Sequence, residues 1–432
     1  MTPSPARPPR PSRPRRLARC VLALALLLAA AACGSGPRHG RLTVMVPWSG
    51  AEFQAFYSVV KTFEHDTGIH VDVEVTRDQS QQLDAAVAAD APPDLAVLPS
   101  VGALDRYAKD GSLRPLSDLT KDYTQPFRGL ATVRGTVYAV PVKADVKSLV
   151  WYDPSVTGPP PTALSDQLAR ADKAPKSWCL GLESGPTSGW PGADWIADIL
   201  LALGAQGAHG TSVDYQNWLS GRLAWTSPEI EAAWTDWHHL VSGSAKGASF
   251  VEFGKAAAGM TAKPPTCSLA HGALSAMGFP ASAVPGKAYD FVTSTPPSAR
   301  LLQVSADFVG MFSANPNAAA LLRYLSTAGV QRAWVNTPGG YAFSADRQVA
   351  PASYHNPVQR RIAAMLQPDS GYQLCFSAAD AMQPEVSAAF YRAVLLYAGG
   401  GLLTTQLSGL EGIQRTHDTP LVSSADLCAA PS

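Results

Sequence analysis

Hydrophobic positions along the first quarter of the chain switch between two periods. Residues 42–46, "LTVMV", form a short unbroken apolar run, which predicts a buried strand. Phe53, Phe56, Tyr57, Val60 and Phe63 then recur three or four apart, the apolar face of an amphipathic helix. Gly68 in "DTG" stands where a left-handed C-terminal cap belongs. In "IHVDVEV", residues 69–75, Ile69, Val71, Val73 and Val75 alternate with polar residues, as in a strand with one buried face. "SQQLDAAVAAD" predicts a second helix, "PPDLAVLPS" a third strand, and "VGALDRYAKDG" a third helix closed by Gly111. Strands alternating with helices predict a mainly parallel sheet covered on both faces.

At 135–153 the pattern changes. "GTVYAVPVKADVKSLVWYDP" holds two strand-like runs, which reads as a crossing between lobes. Residues 162–245 are largely helical, 259–300 are rich in Gly, Pro and Ala and read as loop, and "LLQVSADFVGMFS" returns to strand character. The stretch "NAAALLRYLSTAGVQRAWV" and most of the last 75 residues read as helix.

The length, 432 residues, exceeds one ordinary core and predicts two lobes. With 46% hydrophobic and 16% charged residues, extended disorder is excluded. The formal net charge is zero but uneven. Arg7, Arg10, Arg13, Arg15, Arg16 and Arg19 lie at the start with no acid among them, leaving 28 basic against 34 acidic residues in the remainder. That acidic body, with no basic stripe, argues against nucleic acid as a partner. The apolar run "CVLALALLLAAAAC", residues 20–33, is only about 20 Å long as a helix, short of the roughly 30 Å of a bilayer core. It reads as the core of a signal peptide. Ala30, Ala31, Ala32 and Cys33 resemble a bacterial lipoprotein box, although Ala30 stands where leucine is commoner. The resemblance implies a signal peptide over 1–32, lipidation at Cys33 and a linker over 33–40.

Cys179, Cys267, Cys375 and Cys428 remain, with no CxxC spacing to suggest zinc or a redox motif. In an exported chain an even count is compatible with two disulfides. Three pairings are possible; the expected one is Cys179–Cys267 with Cys375–Cys428, each within one lobe. The histidines are scattered, and the adjacent His238 and His239 point different ways on a helix, so no metal site and no cofactor is expected.

The stretches "LTVMVPWSGAEFQAFYSVVKTFEHDTGIHVDVEV", "PPDLAVLPSVGALDRYAKDGSLRPLSD", "GTVYAVPVKADVKSLVWYDP", "SGWPGADWIADILL", "FSANPNAAALLRYLS" and "GGYAFSADRQV" occur in one order over most of residues 42–397. In that order they resemble the extracellular solute-binding proteins of bacterial ABC importers, the sugar-binding kind related to maltose-binding proteins. The resemblance implies an α/β fold of the periplasmic-binding-protein-like type II. Two α/β lobes are joined by a multi-strand hinge, with the ligand cleft between them. It places lobe 1 at 41–145 plus 303–350 and lobe 2 at 146–302 plus 351–432. It further implies a monomer on the outer face of the cytoplasmic membrane, held there only by its lipid. Its partners would be a carbohydrate ligand, an oligosaccharide or glucoside, and ABC permease subunits.

Ligands of open parallel sheets sit beyond the carboxyl ends of the strands. "PWSGAE" lies at such an end, so Trp48 either offers its ring to the C–H face of a sugar or packs in the core, and the resemblance favours the sugar. Ser49 and Glu52 offer hydrogen bonds, or Glu52 merely favours the helix start. Ser100 follows the third strand and reads equally as a helix N-cap. Lys143, Asp145 and Lys147 lie in the crossing, where they are ligand groups or paired surface charges. Glu183 and Trp190, in the glycine-rich loop "GLESGPTSGWPGADW", are expected to face the cleft from the second lobe; Asp307, after "LLQVSA", is implied by the resemblance to reach sugar hydroxyls, or else caps the following segment; Gly340 and Tyr341 in "PGGYAF" are expected to bring backbone and a ring close to the ligand. Phe390 and Tyr391 read as core, and Asp94, at the start of its strand, as structural. The leading function is capture of a solute without chemistry. The alternatives are a secreted glycoside hydrolase, with a carboxylate pair from Glu52, Glu183 and Asp307, and a ligand-sensing lipoprotein. No GxSxG, HExxH, Walker A or strand–helix GxGxxG motif is present.

Overall fold

In the computed structural model, strands β1 (Arg41–Val46), β2 (His70–Val75) and β3 (Leu95–Val97) alternate with helices α1 (Gly50–Thr67), α2 (Gln79–Ala88) and α3 (Val101–Lys109). The structure describes residues 40–98, 100–174, 176–206, 212–296, 298–417 and 427–432. The leader, Cys33 and the linker lie outside these residues. β1 is flanked by β2 and β3 and runs parallel to both, as right-handed strand–helix–strand units require. α1 buries Phe56, Val59, Val60 and Phe63 against the sheet. It stops at Gly68, whose φ of 68° suits a residue without a Cβ and whose N–H returns to the Glu64 carbonyl at 2.8 Å. β2 is the sheet's edge, so of its expected inner face only Val71 is buried and Val75 is exposed.

The sheet is mixed rather than mainly parallel. A small hairpin, β4 (Thr132–Val133) and β5 (Thr136–Val137), leads into β6 (Ala139–Val146), which is buried along its whole length. β10 (Leu301–Met311) runs antiparallel to both β3 and β6 and parallel to β11 (Gln373–Phe376). β10 enters from a distant part of the chain, so no helical crossover dictates its direction. β12 (Cys428–Ala429) pairs antiparallel with β11.

A second, antiparallel sheet has the order β8 (Leu269–His271), β7 (Leu149–Tyr152), β9 (Asp290–Thr293). Helices α4 (Leu164–Lys173), α5 (Trp190–Gln206), α6 (Val213–Leu219) and α7 (Pro228–Val241) surround it. Their core is dense in aromatic rings: Trp151, Trp178, Trp225, Trp234 and Trp237 are all fully buried. β8 and β9 fall where loop is expected, and β11 where helix is expected. Three or four residues are too few to display a period. The remaining longer helices are α8 (Pro316–Leu325), α9 (Ala328–Val335), α10 (Pro357–Met365), α11 (Pro384–Ala398) and α12 (Leu403–Gln414). Among the described residues no helix is long and apolar enough to cross a membrane.

The chain leaves the large sheet between β6 and β7 and returns between β9 and β10. These two passages lie side by side: the Ser294 N–H donates to Ser148 O at 3.1 Å, and the Lys147 N–H to Gln303 O at 2.8 Å. Asp198, buried on α5, accepts from the hydroxyls of both Ser148 and Ser294 and lies 2.8 Å from His271 Nε2. Disulfides join Cys179 to Cys267 and Cys375 to Cys428, the latter directly across the β11–β12 pair.

Candidate ligand-binding cleft

The carboxyl ends of β1 and β3 open into a cleft of about 450 Å³. At the corner after β1, Trp48 is only 3% exposed. Its ring tilts against Phe56 at 4.8 Å and meets Trp334 edge-on at 5.5 Å, while its Nε1–H donates to Asp307 Oδ2 at 3.0 Å. The ring is therefore core, and its polar edge reaches the cleft. Buried Gln79, at the start of α2, donates from Nε2 to the carbonyl of Val97, tying the end of β3 to the helix.

Residues two apart on a strand share a face. "KADVK" thus sends Lys143, Asp145 and Lys147 into the cleft together, all buried. Lys143 Nζ lies 2.6 Å from Glu52 Oε1, 2.7 Å from Asp145 Oδ2 and 3.4 Å from Asp307 Oδ2. Asp307 stands opposite Lys143 in the β10–β6 register, beside a β-bulge. Lys147 Nζ lies 2.8 Å from Asp194 Oδ2, 2.9 Å from Asp380 Oδ2 and 3.3 Å from Ser377 Oγ. Burial would lower both ammonium groups, but the carboxylates outweigh it: Asp145, Glu52 and Asp307 hold Lys143 raised, and Asp194 and Asp380 hold Lys147 raised. The acids show the converse. Burial raises Glu52 and Asp145 against the pull of Lys143, and pushes Asp194 up to about 6 against the pull of Lys147. Five carboxylates face two ammonium groups, so the cleft is rich in hydrogen-bond acceptors and hostile to anions.

The facing wall comes from the loop 184–189, α5 and α11. A Cβ on Gly189 would sit 2.1 Å from the Tyr391 carbonyl, and its φ is 105°, so only glycine lets this loop lie on α11. Trp190 and Asp194 follow on one face of α5, four residues apart. The Trp190 ring is half-buried, 5.0 Å from Phe253 and 5.8 Å from Lys147 Nζ. Arg77 reaches over Phe253 at 5.4 Å and donates to Ser49 Oγ at 2.7 Å. Tyr391 lines the same wall; burial, then Asp380 and Asp194, hold its hydroxyl protonated. Ser275 donates to Asp145 Oδ1 at 3.1 Å.

Of the residues singled out from sequence, Trp48, Glu52, Ser100, Lys143, Asp145, Lys147, Trp190 and Asp307 line this cleft. Ser100 is also the N-cap of α3, accepting from the Ala103 N–H at 3.0 Å. Four others fall outside the lining. Ser49 is exposed and accepts from Arg77. Glu183 turns back to accept from the Gly185 N–H at 2.9 Å. Gly340 packs on α1, where a Cβ would meet that of Ala55 at 2.6 Å. Tyr341 is buried, with its hydroxyl on the Phe279 carbonyl at 3.2 Å. Asp94 ties Thr43, Ser313 and Asn315 together at the far end of β3. Asp194, Asp380, Arg77 and Phe253 also line the cleft and are absent from the expected set, and Tyr391, expected in the core, lines it too. Asp194 was within reach, one helical turn from Trp190; Asp380, on the single turn Ala378–Ala381, had no pattern around it.

Two sheets with an acceptor-rich, aromatic-walled cleft define a receptor for a small ligand. The chain belongs to the bacterial extracellular solute-binding protein family, whose sequence model matches residues 58–361, well over half its length. It is 27% identical to the alpha-glucosides-binding periplasmic protein AglE of Rhizobium meliloti, over 88% of this chain and 87% of that one. It is 28% identical to the osmoprotective compounds-binding protein GgtB of Synechocystis sp., over 86% and 91%. Among solved structures, the bacterial solute receptor AcbH superposes with a TM-score of 0.72 at 18% identity, covering 88% of this chain and 99% of that one. A chitin oligosaccharide binding protein does so at 0.70 and 18%, covering 88% and 98%. These likenesses establish the two-lobe periplasmic-binding-protein fold.

Proposed function

We propose that this protein is the carbohydrate receptor of an ABC importer, closing its lobes on a neutral saccharide and handing it unaltered to permease subunits. The observation that carries this is the pairing of two surfaces in one cleft. Trp190 and Phe253 supply flat rings for C–H faces, and lysine–carboxylate clusters supply acceptors and donors for hydroxyls. The relatives named for alpha-glucosides and osmoprotective compounds, and the receptors named for galactopyranose and chitin oligosaccharide, support a hydroxyl-rich ligand. The carboxylate surplus disfavours uronates and sugar phosphates. The five carboxylates around Lys143 and Lys147 are each held by a lysine, which supports binding over hydrolysis at that centre. We place lobe 1 at 41–145 plus 303–350 and lobe 2 at 146–302 plus 351–432, so that β10 carries the large sheet across to β11 and β12 in lobe 2. The leader and Cys33 support a lipid anchor on the outer face of the membrane, and we take the receptor to be a monomer. A thermal-shift screen of neutral mono- and oligosaccharides tests the reading, with glucuronate and amino acids as controls and product analysis alongside. A shift with neutral sugars and no product is expected. A shift with amino acids alone, or turnover of a glycoside, refutes it.

A further inference from the structure

Beside the cleft lies a second groove of about 510 Å³, between α11, α12 and the loop Gly185–Ser188. It is not separate from the first: Pro186, Glu385 and Ala388 line both. One face of α11 carries the track. Glu385, Ala388, Arg392 and Leu396 recur three or four apart, with Ala389 beside them, so the strip runs outward from the cleft for about 16 Å. Its floor is low, because alanines on α11 face Gly409 on α12. Arg392 is exposed and has no ion-pair or hydrogen-bond partner among the described residues; Gln406 and Thr405 stand across from it. Exposed Leu396 closes the far end with apolar surface. A shallow apolar floor edged by an unpaired guanidinium and an amide suits successive sugar rings, with C–H faces down and hydroxyls to the sides.

We infer that this groove continues the binding site, and that the ligand is an oligosaccharide of three or more units whose outer rings lie along α11. This rests on the carbohydrate reading above and deepens it. The test is calorimetry on the mature protein with two ladders, maltose to maltotetraose and cellobiose to cellotetraose. In one ladder, affinity rises at least about fivefold from two units to three or four. Arg392→Ala erases that gain and leaves the disaccharide unchanged, and Gln406→Ala does the same more weakly. Equal affinity at every length overturns the inference while leaving the receptor reading intact. So does an Arg392→Ala loss that is the same at every length. If Arg392→Ala changes no affinity yet abolishes uptake by cells carrying the full chain, the groove serves the transporter and the inference is overturned. If neither ladder binds, this inference falls; if no neutral saccharide of the wider screen binds either, the carbohydrate reading falls with it.

Discussion

Trp48 and Trp190 both line the cleft, and truncating each should have opposite consequences. Trp48 is 3% exposed and contacts Phe56 and Trp334, so Trp48→Ala opens a cavity in a packed aromatic cluster. Such truncations cost about 3–5 kcal/mol. Asp307 also loses the indole N–H at 3.0 Å, although Lys143 remains beside it. Unfolding entropy near 2.1 cal/mol/K per residue gives about 0.8 kcal/mol/K for the compact unit Arg41–Ser432. Trp48→Ala should therefore lower the apo Tm by about 4–6 °C. Trp190 is half-buried, with Phe253 and Lys147 as its ring neighbours, so its loss should move the apo Tm by less than about 2 °C. Removing this platform should weaken a bound saccharide about tenfold or more. Differential scanning fluorimetry of the ligand-free variants, followed by calorimetry with a sugar found by screening, reads both numbers. A Trp48→Ala variant that melts like the parent while losing its ligand, or a Trp190→Ala variant that collapses the apo melt and binds normally, refutes this assignment of the two rings.

Asp194 carries a pH signature. Its carboxyl is raised in the fold from 3.8 to about 6, so the stability it contributes is complete below 3.8 and lost as the pH climbs through 6, at most about 3 kcal/mol. Asp194→Asn should flatten the Tm profile between pH 4 and 7; an unchanged difference between the two pH values contradicts this. Lys147→Met leaves Asp194 and Asp380 facing each other without a cation. It should cost about 3–5 kcal/mol at pH 7 and less at pH 4.5, where the acids take up protons, as denaturant titration at the two pH values will read. Reduction opens loops of 88 and 53 residues, each worth about 4–5 kcal/mol by chain entropy, and should lower Tm by several degrees per bridge; a melt indifferent to reductant rejects that value. Asp94→Ala should lower stability by about 1–3 kcal/mol with no change in affinity, because its partners lie at the end of β3 remote from the cleft; an altered dissociation constant shows otherwise.

The local parts of this fold were legible in the sequence. β1, α1 and the Gly68 cap follow from residues that touch their own near neighbours. The mixed sheet was not, because the direction of β10 is fixed by partners far away in the chain. The cleft divides the same way. Strand alternation brings Lys143, Asp145 and Lys147 to one face, and the strand-end rule finds the corner at Trp48. Which way the Trp48 ring turns depends on Trp334, and which way Glu183 turns depends on an unpaired N–H in its own tight turn. Neither carries a periodic signal. Asp380 sits on one helical turn behind a four-residue strand, where period has nothing to act on.

Asp198 has a mechanical consequence. Because the one Asp198 side chain accepts from Ser148 on one passage and from Ser294 on the other, neither segment can slide past its neighbour without breaking a buried hydrogen bond. The two passages are pinned to each other at this point, like two cords through one eyelet. Amide deuteration at 148 and 294 should then be slow in step, and Asp198→Asn should loosen both together.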